Sequence, residues 1–135
     1  MMPALQMIAS IFAPSSAAFT AMTDWLTAHP DAKYIVGCTI DDPRATGMSG
    51  ALEAAGMVGK SAIVGQGVGT EALAELRRPA DESTFVASVA YTPELYGTYL
   101  VPIIVDLIEG NPVPDRVALD HFAIDRDNLD EWYPE

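Results

Sequence analysis

The sequence has few basic residues, only two histidines and a single cysteine. Its 135 residues carry seven Lys+Arg against nineteen Asp+Glu, a formal net charge of −12. Such a surface repels phosphate backbones and anionic membranes, which argues against nucleic-acid binding. No apolar run reaches the roughly 18 residues that span a bilayer, so no membrane insertion is expected. The lone Cys38 cannot form an internal disulfide and, within an apolar stretch, is expected to be a small buried residue.

Motifs for catalysis, metal or cofactor binding are also lacking. His121 has no Cys or second His nearby, so a metal site is not expected. The sequence contains no GxSxG nucleophile motif. The loop GQGVG that starts at Gly65 does not match GxGxxG, because its third glycine falls one place early. Nothing in the sequence therefore argues for an enzyme, a metal or a cofactor.

The first 14 residues have the least informative sequence in the chain. They contain an apolar stretch followed by small residues, as in a signal peptide, but no Lys or Arg occurs before Lys33. A signal peptide needs a positive n-region. The alternative is a segment that packs on the domain or frays. Residues 15–135 are expected to form a single domain, since their number is typical of one.

Helix and strand patterns alternate regularly along residues 15–135. The predicted order is helix 15–28, strand 33–40, a helix from Pro43 to a stop at Gly56, strand 61–64, helix 70–78, strand 83–90, a long helix from Pro93 to Glu109 and strand 116–124. The tail should fold back through Trp132 and Tyr133. This alternation predicts an α/β fold, a three-layer sandwich with a mostly parallel sheet flanked by helices.

Asp41 and Asp42 form an acidic corner between the first strand and the helix opened by Pro43, and three interpretations remain open. Asp42 could cap the helix, with Asp41 solvated. One or both carboxylates could accept hydrogen bonds from the hydroxyls of a polar ligand, because ligands bind at the carboxyl ends of parallel strands. A metal or phosphoacceptor site is the third interpretation, but it needs another carboxylate after a neighbouring strand, where the sequence has Gly65-Gln66-Gly67.

Six segments of the sequence follow a known order and spacing: DWLTAHPDA from Asp24, Asp41-Asp42 with Gly47, ALEAAG from Ala51, SVAY from Ser88, PELYG from Pro93 and LIEGNPVP from Leu107. In these segments the chain resembles the C-terminal lobe of a periplasmic sugar-binding protein of the ribose/galactose type, which feeds an ABC transporter. The family has two lobes that close on a sugar, and this sequence starts inside the second lobe. The resemblance implies a truncated, non-enzymatic lobe with at most half of a sugar site, an ABC permease as partner and a periplasmic location. Because no convincing signal peptide is present, a cytoplasmic location also stays open.

The resemblance places ligand contacts at four residues. Asp41, with Asp42 beside it, matches a family contact that follows the first strand. Gln66 is the nearest substitute for a family acid, and Tyr91 replaces an amide and could stack on a sugar face. The resemblance also implies that the helix from Pro93 to Glu109 normally packs on the first lobe. Its apolar stripe must therefore repack or be covered by a second copy, which makes a homodimeric interaction module without a small-molecule ligand the alternative function.

Overall fold

The computed structural model describes residues 14–135. Predictions about residues 1–13 therefore lie outside the described residues. Among the described residues, no helix is long and apolar enough to cross a membrane. The helices are α1 (Ser15–Ala28), α2 (Asp42–Ala54), α3 (Thr70–Leu76), α4 (Tyr96–Glu109) and α5 (Leu129–Trp132), and the strands are β1 (Ile35–Cys38), β2 (Ser61–Gln66), β3 (Phe85–Ala90) and β4 (Phe122–Asp125).

The four strands form one sheet in the order β1-β2-β3-β4. The first three are parallel, and β4 pairs antiparallel with β3. Helices α2 and α3 connect successive parallel strands, as the alternating pattern predicts. The predicted α/β class with a mostly parallel sheet is confirmed.

The hydrophobic core lies between the sheet and the helices α1, α2 and α3. Met22 of α1 and Leu52 of α2 belong to the same buried cluster as Ile35, Ile63 and Phe85 of the first three strands. Helix α1 lies along α2, with Ser15 against Gly47 and Phe19 against Gly50. Both helices therefore cover the same face of the sheet.

The other face of β1 is exposed. Tyr34 and Val36 keep 80% and 81% of their accessible surface, and Ile40 and Cys38 are also exposed. The prediction that Cys38 is a buried mid-strand residue is therefore wrong. It fails because Cys38 is the last residue of β1 and points to the face opposite the core, a direction that hydrophobicity alone does not fix.

A polar network joins α2 to the start of β3. Glu53 accepts hydrogen bonds from the Arg78 guanidinium at 3.0 Å, from the Thr84 N–H at 3.2 Å and from the Ser49 hydroxyl at 3.0 Å. Burial alone would raise the pKa of the Glu53 carboxyl, but these bonds and the charge of Arg78 outweigh it and lower the pKa. The network fixes the position of α2 over the sheet.

Helix α4 has no buried residue. It follows a 3₁₀ turn over Pro93–Leu95 and, within the described chain, makes its main contacts with that turn. Leu100, Ile104 and Leu107 are more than half exposed, and Ile108 keeps 80% of its surface. The predicted long helix is confirmed, although its first turn is 3₁₀ rather than α. Of the two expected outcomes for its apolar stripe, local repacking is not seen in the described chain, and cover by a second copy stays a prediction.

The predicted strand 116–124 is wrong over residues 116–121. Only residues 122–125 pair with β3, because the β3 partners run from Ala90 back to Ala87. Val117 is exposed, so the apolar pattern of residues 116–121 does not indicate a strand that pairs in the sheet. The predicted return of the tail is confirmed, since the Trp132 and Phe122 rings lie 4.2 Å apart between centroids and Tyr133 packs against the core.

Candidate functional site

The carboxyl ends of three neighbouring strands each carry a polar residue that the sequence singled out. Asp41 lies shortly after β1, Gln66 is the last residue of β2, and Tyr91 directly follows β3. Because β1, β2 and β3 are adjacent and parallel, these ends lie along one edge of the sheet. This edge is where open α/β sheets bind ligands.

Asp41 is the N-cap residue of α2. Its carboxylate accepts a 3.0 Å hydrogen bond from the Arg44 backbone N–H and forms an ion pair with the Arg44 guanidinium. The Thr39 hydroxyl donates to the Asp41 carbonyl at 2.5 Å. Asp41 is therefore held in place by both flanking segments while remaining partly exposed.

The interpretation that Asp42 caps the helix, with Asp41 solvated, is wrong. Asp42 is the first residue of α2 and is 2% exposed. One carboxylate oxygen accepts from the Ser88 hydroxyl at 2.6 Å and the other from the Gly69 N–H at 2.7 Å. Pro43 is the second residue of α2 rather than the first, so it did not identify the cap.

Burial raises the pKa of the Asp42 carboxyl, and the hydrogen bonds from Ser88 and Gly69 offset that rise only in part. Gly65 leaves room for this carboxylate, because a Cβ there would lie 2.2 Å from the Asp42 Oδ1 atom. Ser88 also accepts a 3.1 Å hydrogen bond from the Val68 N–H, where the backbone has a φ of 55°. The buried Asp42 carboxylate thus connects the loop after β2, through Gly69, with β3, through Ser88.

Gln66 and Tyr91 are in direct contact. The Tyr91 hydroxyl donates a hydrogen bond to the Gln66 side-chain oxygen. His121 packs edge-on against the Tyr91 ring, with the centroids 5.0 Å apart. The structure therefore brings Gln66 and Tyr91 together and adds His121 from the segment that precedes β4.

Sequence reasoning missed three residues of this region. Arg44 and Ser88 hold the two aspartates, and His121 lies against Tyr91. The one available signal was the spacing of Asp41 and Arg44, three residues apart at a helix start, where a basic side chain can reach back to the cap. Ser88 and His121 come from distant parts of the chain, so no local pattern points to them.

The described part of the chain contains no group of three or more His, Cys, Asp or Glu side chains that could hold a metal ion. What the edge presents is a partly exposed carboxylate, an amide, a phenol and an imidazole. These groups hydrogen-bond and stack, which suits a polar uncharged ligand.

The sequence pattern of a known family covers most of the chain. The model of the periplasmic binding protein domain matches residues 6–112. The chain belongs to this family. The match contains α1 to α4, all three parallel strands and every residue of the site except His121.

Solved structures of this fold class resemble the chain over most of its length. A myo-inositol-binding protein from Caulobacter, solved with myo-inositol, is 29% identical with a TM-score of 0.70, and the match covers 87% of this chain and 39% of that one. An ABC transporter solute-binding protein from Agrobacterium vitis with bound allitol is 23% identical with a TM-score of 0.74, and the match covers 87% of this chain and 40% of that one. An ABC transporter periplasmic solute-binding protein from Actinobacillus succinogenes with bound D-allose is 19% identical with a TM-score of 0.72, and the match covers 87% of this chain and 40% of that one.

The chain thus spans about 40% of the length of these family structures and corresponds to part of a lobe. Two of these structures are of ABC transporter solute-binding proteins. No curated protein matches the chain significantly.

Proposed function

We propose that this chain is a sugar-binding lobe of an ABC-transport solute-binding protein, non-enzymatic, with a half-site formed by Asp41, Gln66 and Tyr91. The observation that carries the proposal is the alignment of these three side chains along the carboxyl ends of β1, β2 and β3. The sugars and polyols bound by the related structures support this ligand class.

Each of the three side chains has a definite role in the proposal. The Asp41 carboxylate accepts hydrogen bonds from sugar hydroxyls, and the Gln66 amide can both donate and accept. The Tyr91 ring offers an apolar face for a sugar ring, and its hydroxyl is oriented by Gln66. Asp42 belongs to the site as a positioning residue, because its carboxylate is already engaged by Ser88 and Gly69.

Affinity should be low when this lobe acts alone. Ligand pockets bury roughly 70–90% of a small ligand, and one wall of a cleft covers much less. We therefore expect micromolar or weaker affinity for the 135-residue chain. As in the family, the proposed partner is an ABC permease and the proposed location is the periplasm.

Isothermal calorimetry with pentoses, hexoses and inositols tests the half-site. Binding should be lost in Asp41→Ala and unchanged in Asp31→Ala, a matched control on an exposed turn. Since removing an N-cap costs about 1 kcal/mol, Asp41→Asn serves as a variant that keeps the cap. Tight binding that survives Asp41→Ala, in a chain that keeps its circular dichroism spectrum, would contradict the proposal.

A second candidate is a homodimeric interaction module without a small-molecule ligand. The observation in its favour is that α4 presents Leu100, Ile104, Leu107 and Ile108 to solvent without one buried residue. Exposed apolar patches of this kind mark interaction sites. Light scattering over a range of concentrations separates the two candidates, because a particle that stays monomeric at high concentration rules the dimer out.

A further inference from the structure

His121 lies at the edge of the sheet that carries the candidate site because β4 runs in the opposite direction to β3. An antiparallel strand begins where its neighbour ends, so the residues before β4 lie beside the end of β3. The last pair of the register joins Ala90 to Phe122. One further step along both segments brings Tyr91 opposite His121, and the two rings lie 5.0 Å apart between centroids. The register of the sheet thus places His121 at the site.

The Gln66 and Tyr91 side chains use part of their hydrogen-bonding capacity on each other. The Tyr91 hydroxyl donates its proton to the Gln66 side-chain oxygen. The pair therefore retains the two N–H groups of the Gln66 amide as donors and the phenol oxygen as an acceptor. Both side chains are half-buried. A ligand hydroxyl beside the pair meets these atoms, and further polar contacts have to come from a neighbouring side chain.

The His121 ring brings further polar atoms to this edge. It packs on Tyr91, and none of the hydrogen bonds among the described residues involves its nitrogens. The His121 side chain is exposed, whereas Tyr91 beside it is half-buried. A neutral imidazole has one N–H donor and one acceptor nitrogen, which matches the donor and acceptor character of a sugar hydroxyl. His121 therefore combines a position set by Tyr91 with hydrogen-bonding capacity that the described residues leave unused.

His29, the other of the two histidines in the sequence, is engaged by its own helix. Its Nδ1 atom lies 2.8 Å from the Trp25 carbonyl oxygen, and its ring stacks on the Trp25 ring with the centroids 4.3 Å apart. It follows α1 and precedes β1, so it lies towards the edge where the parallel strands begin. His29 is therefore an internal control for any effect of a ligand on His121.

We propose that His121 is a further ligand-contacting residue, whose imidazole hydrogen-bonds a hydroxyl of an uncharged sugar or cyclic polyol that packs on Tyr91. This inference rests on the proposed sugar-binding function. It extends the half-site from the ends of the three parallel strands to the beginning of β4, so that every strand of the described sheet borders the ligand. It also gives His121 a role in selecting between sugars, because a ligand without that hydroxyl gains nothing from the imidazole.

An NMR titration of the 135-residue chain tests the contact directly, because its two imidazoles give separate signals. The probes are the pentoses, hexoses and inositols of the calorimetry, with myo-inositol and D-allose among them. The His121 ring signals should shift together with the Asp41 and Gln66 amide signals, while the His29 signals stay unchanged. Shifts at Asp41 and Gln66 without one at His121 would overturn the inference and leave the half-site standing. No shift at any of these residues would contradict both.

His121→Phe separates a hydrogen bond from packing, because a phenyl ring keeps the edge contact with Tyr91 but has no nitrogen. Affinity for the probe that binds most tightly should fall about fivefold, the usual effect of losing one hydrogen bond between neutral groups. His121→Asn should recover part of this loss, and the matched control His29→Phe should leave affinity unchanged.

Deoxy analogues of the same probe identify the hydroxyl that His121 contacts. The analogue that lacks this hydroxyl should bind the native chain and His121→Phe equally, while the other analogues should still show the loss. Unchanged affinity of His121→Phe for the parent sugar would overturn the inference. An equal loss for every deoxy analogue would overturn it as well, since the ring would then only position Tyr91.

Discussion

The Ser88 hydroxyl donates a 2.6 Å hydrogen bond to the Asp42 carboxylate, and the two residues lie 46 positions apart in the chain. This bond connects the first turn of α2 with the middle of β3, beneath the loop that carries Gly67 and Gly69. Both side chains are buried. The position of the candidate site therefore depends on a contact that no ligand reaches.

Asp42→Ala should destabilise the fold by about 2–4 kcal/mol, because it leaves the buried Ser88 hydroxyl and Gly69 N–H without their acceptor. Urea unfolding measures this change. Ser88→Ala should cost less, and the double variant should cost less than the sum of the two single variants, since they share one bond. Additive effects would mean that the two side chains are not coupled.

Gly47→Ala should destabilise the chain, while Gly50→Ala in the same helix should not. A Cβ at Gly47 would lie 2.1 Å from the Ser15 carbonyl oxygen, so α1 would have to move away from α2. A Cβ at Gly50 meets only Phe19, at an ordinary 3.6 Å. Helix propensity favours alanine at both positions by about 1 kcal/mol, so only the contact with α1 distinguishes them. Thermal unfolding should show a lower midpoint for Gly47→Ala alone.

Glu53→Gln should change how stability depends on pH. The pKa of Glu53 is lower in the folded chain than its ordinary value of 4.5, so its ionised form stabilises the fold above that pH. This contribution is lost as the pH falls through the lowered pKa. Removing the charged acceptor should lower the unfolding free energy by about 2 kcal/mol at pH 7, the usual contribution of hydrogen bonds to a charged group. This difference between native chain and variant should shrink below pH 4.5. Glu131→Gln, at an exposed position, should leave the profile unchanged.

Ile108→Ser should leave the unfolding free energy within about 0.5 kcal/mol of the native value, because the side chain is 80% exposed and α4 buries no residue. Ile63→Ala, in the core, should cost about 2–5 kcal/mol. A large loss of stability in Ile108→Ser at low protein concentration would mean that α4 packs on its own chain. A loss that appears only at high concentration would support the homodimer.

Local sequence signals predicted most of the helices and the order of helices and strands along the chain. The bounds of α1 were predicted without error, and Gly56 and Gly110 end their helices in the left-handed conformation that the pattern implies. The long helix was also predictable, because an apolar stripe shows its period whether or not anything covers it.

The errors arose where a residue's surroundings come from distant parts of the chain. The sequence shows two adjacent carboxylates but not which one turns inward, since that depends on Ser88 and on the space above Gly65. Cys38 looked buried because apolar sequence does not say which face of a strand is covered. The contact of His121 with Tyr91 joins residues on either side of α4, and no spacing rule predicts it.

The long segment that contains α4 separates β3 from β4 in the chain and therefore affects the order in which the sheet assembles. Between Tyr91 and His121 the backbone leaves the sheet for about 30 residues, and closing such a loop costs roughly 3 kcal/mol of chain entropy. Only the four residues of β4 pair with β3 to offset this cost. Arg126, directly after β4, helps by donating to the backbone carbonyls of Arg78, Phe85 and Glu75. The three parallel strands can thus form as an early folding unit, with β4 and the tail added last and opening first.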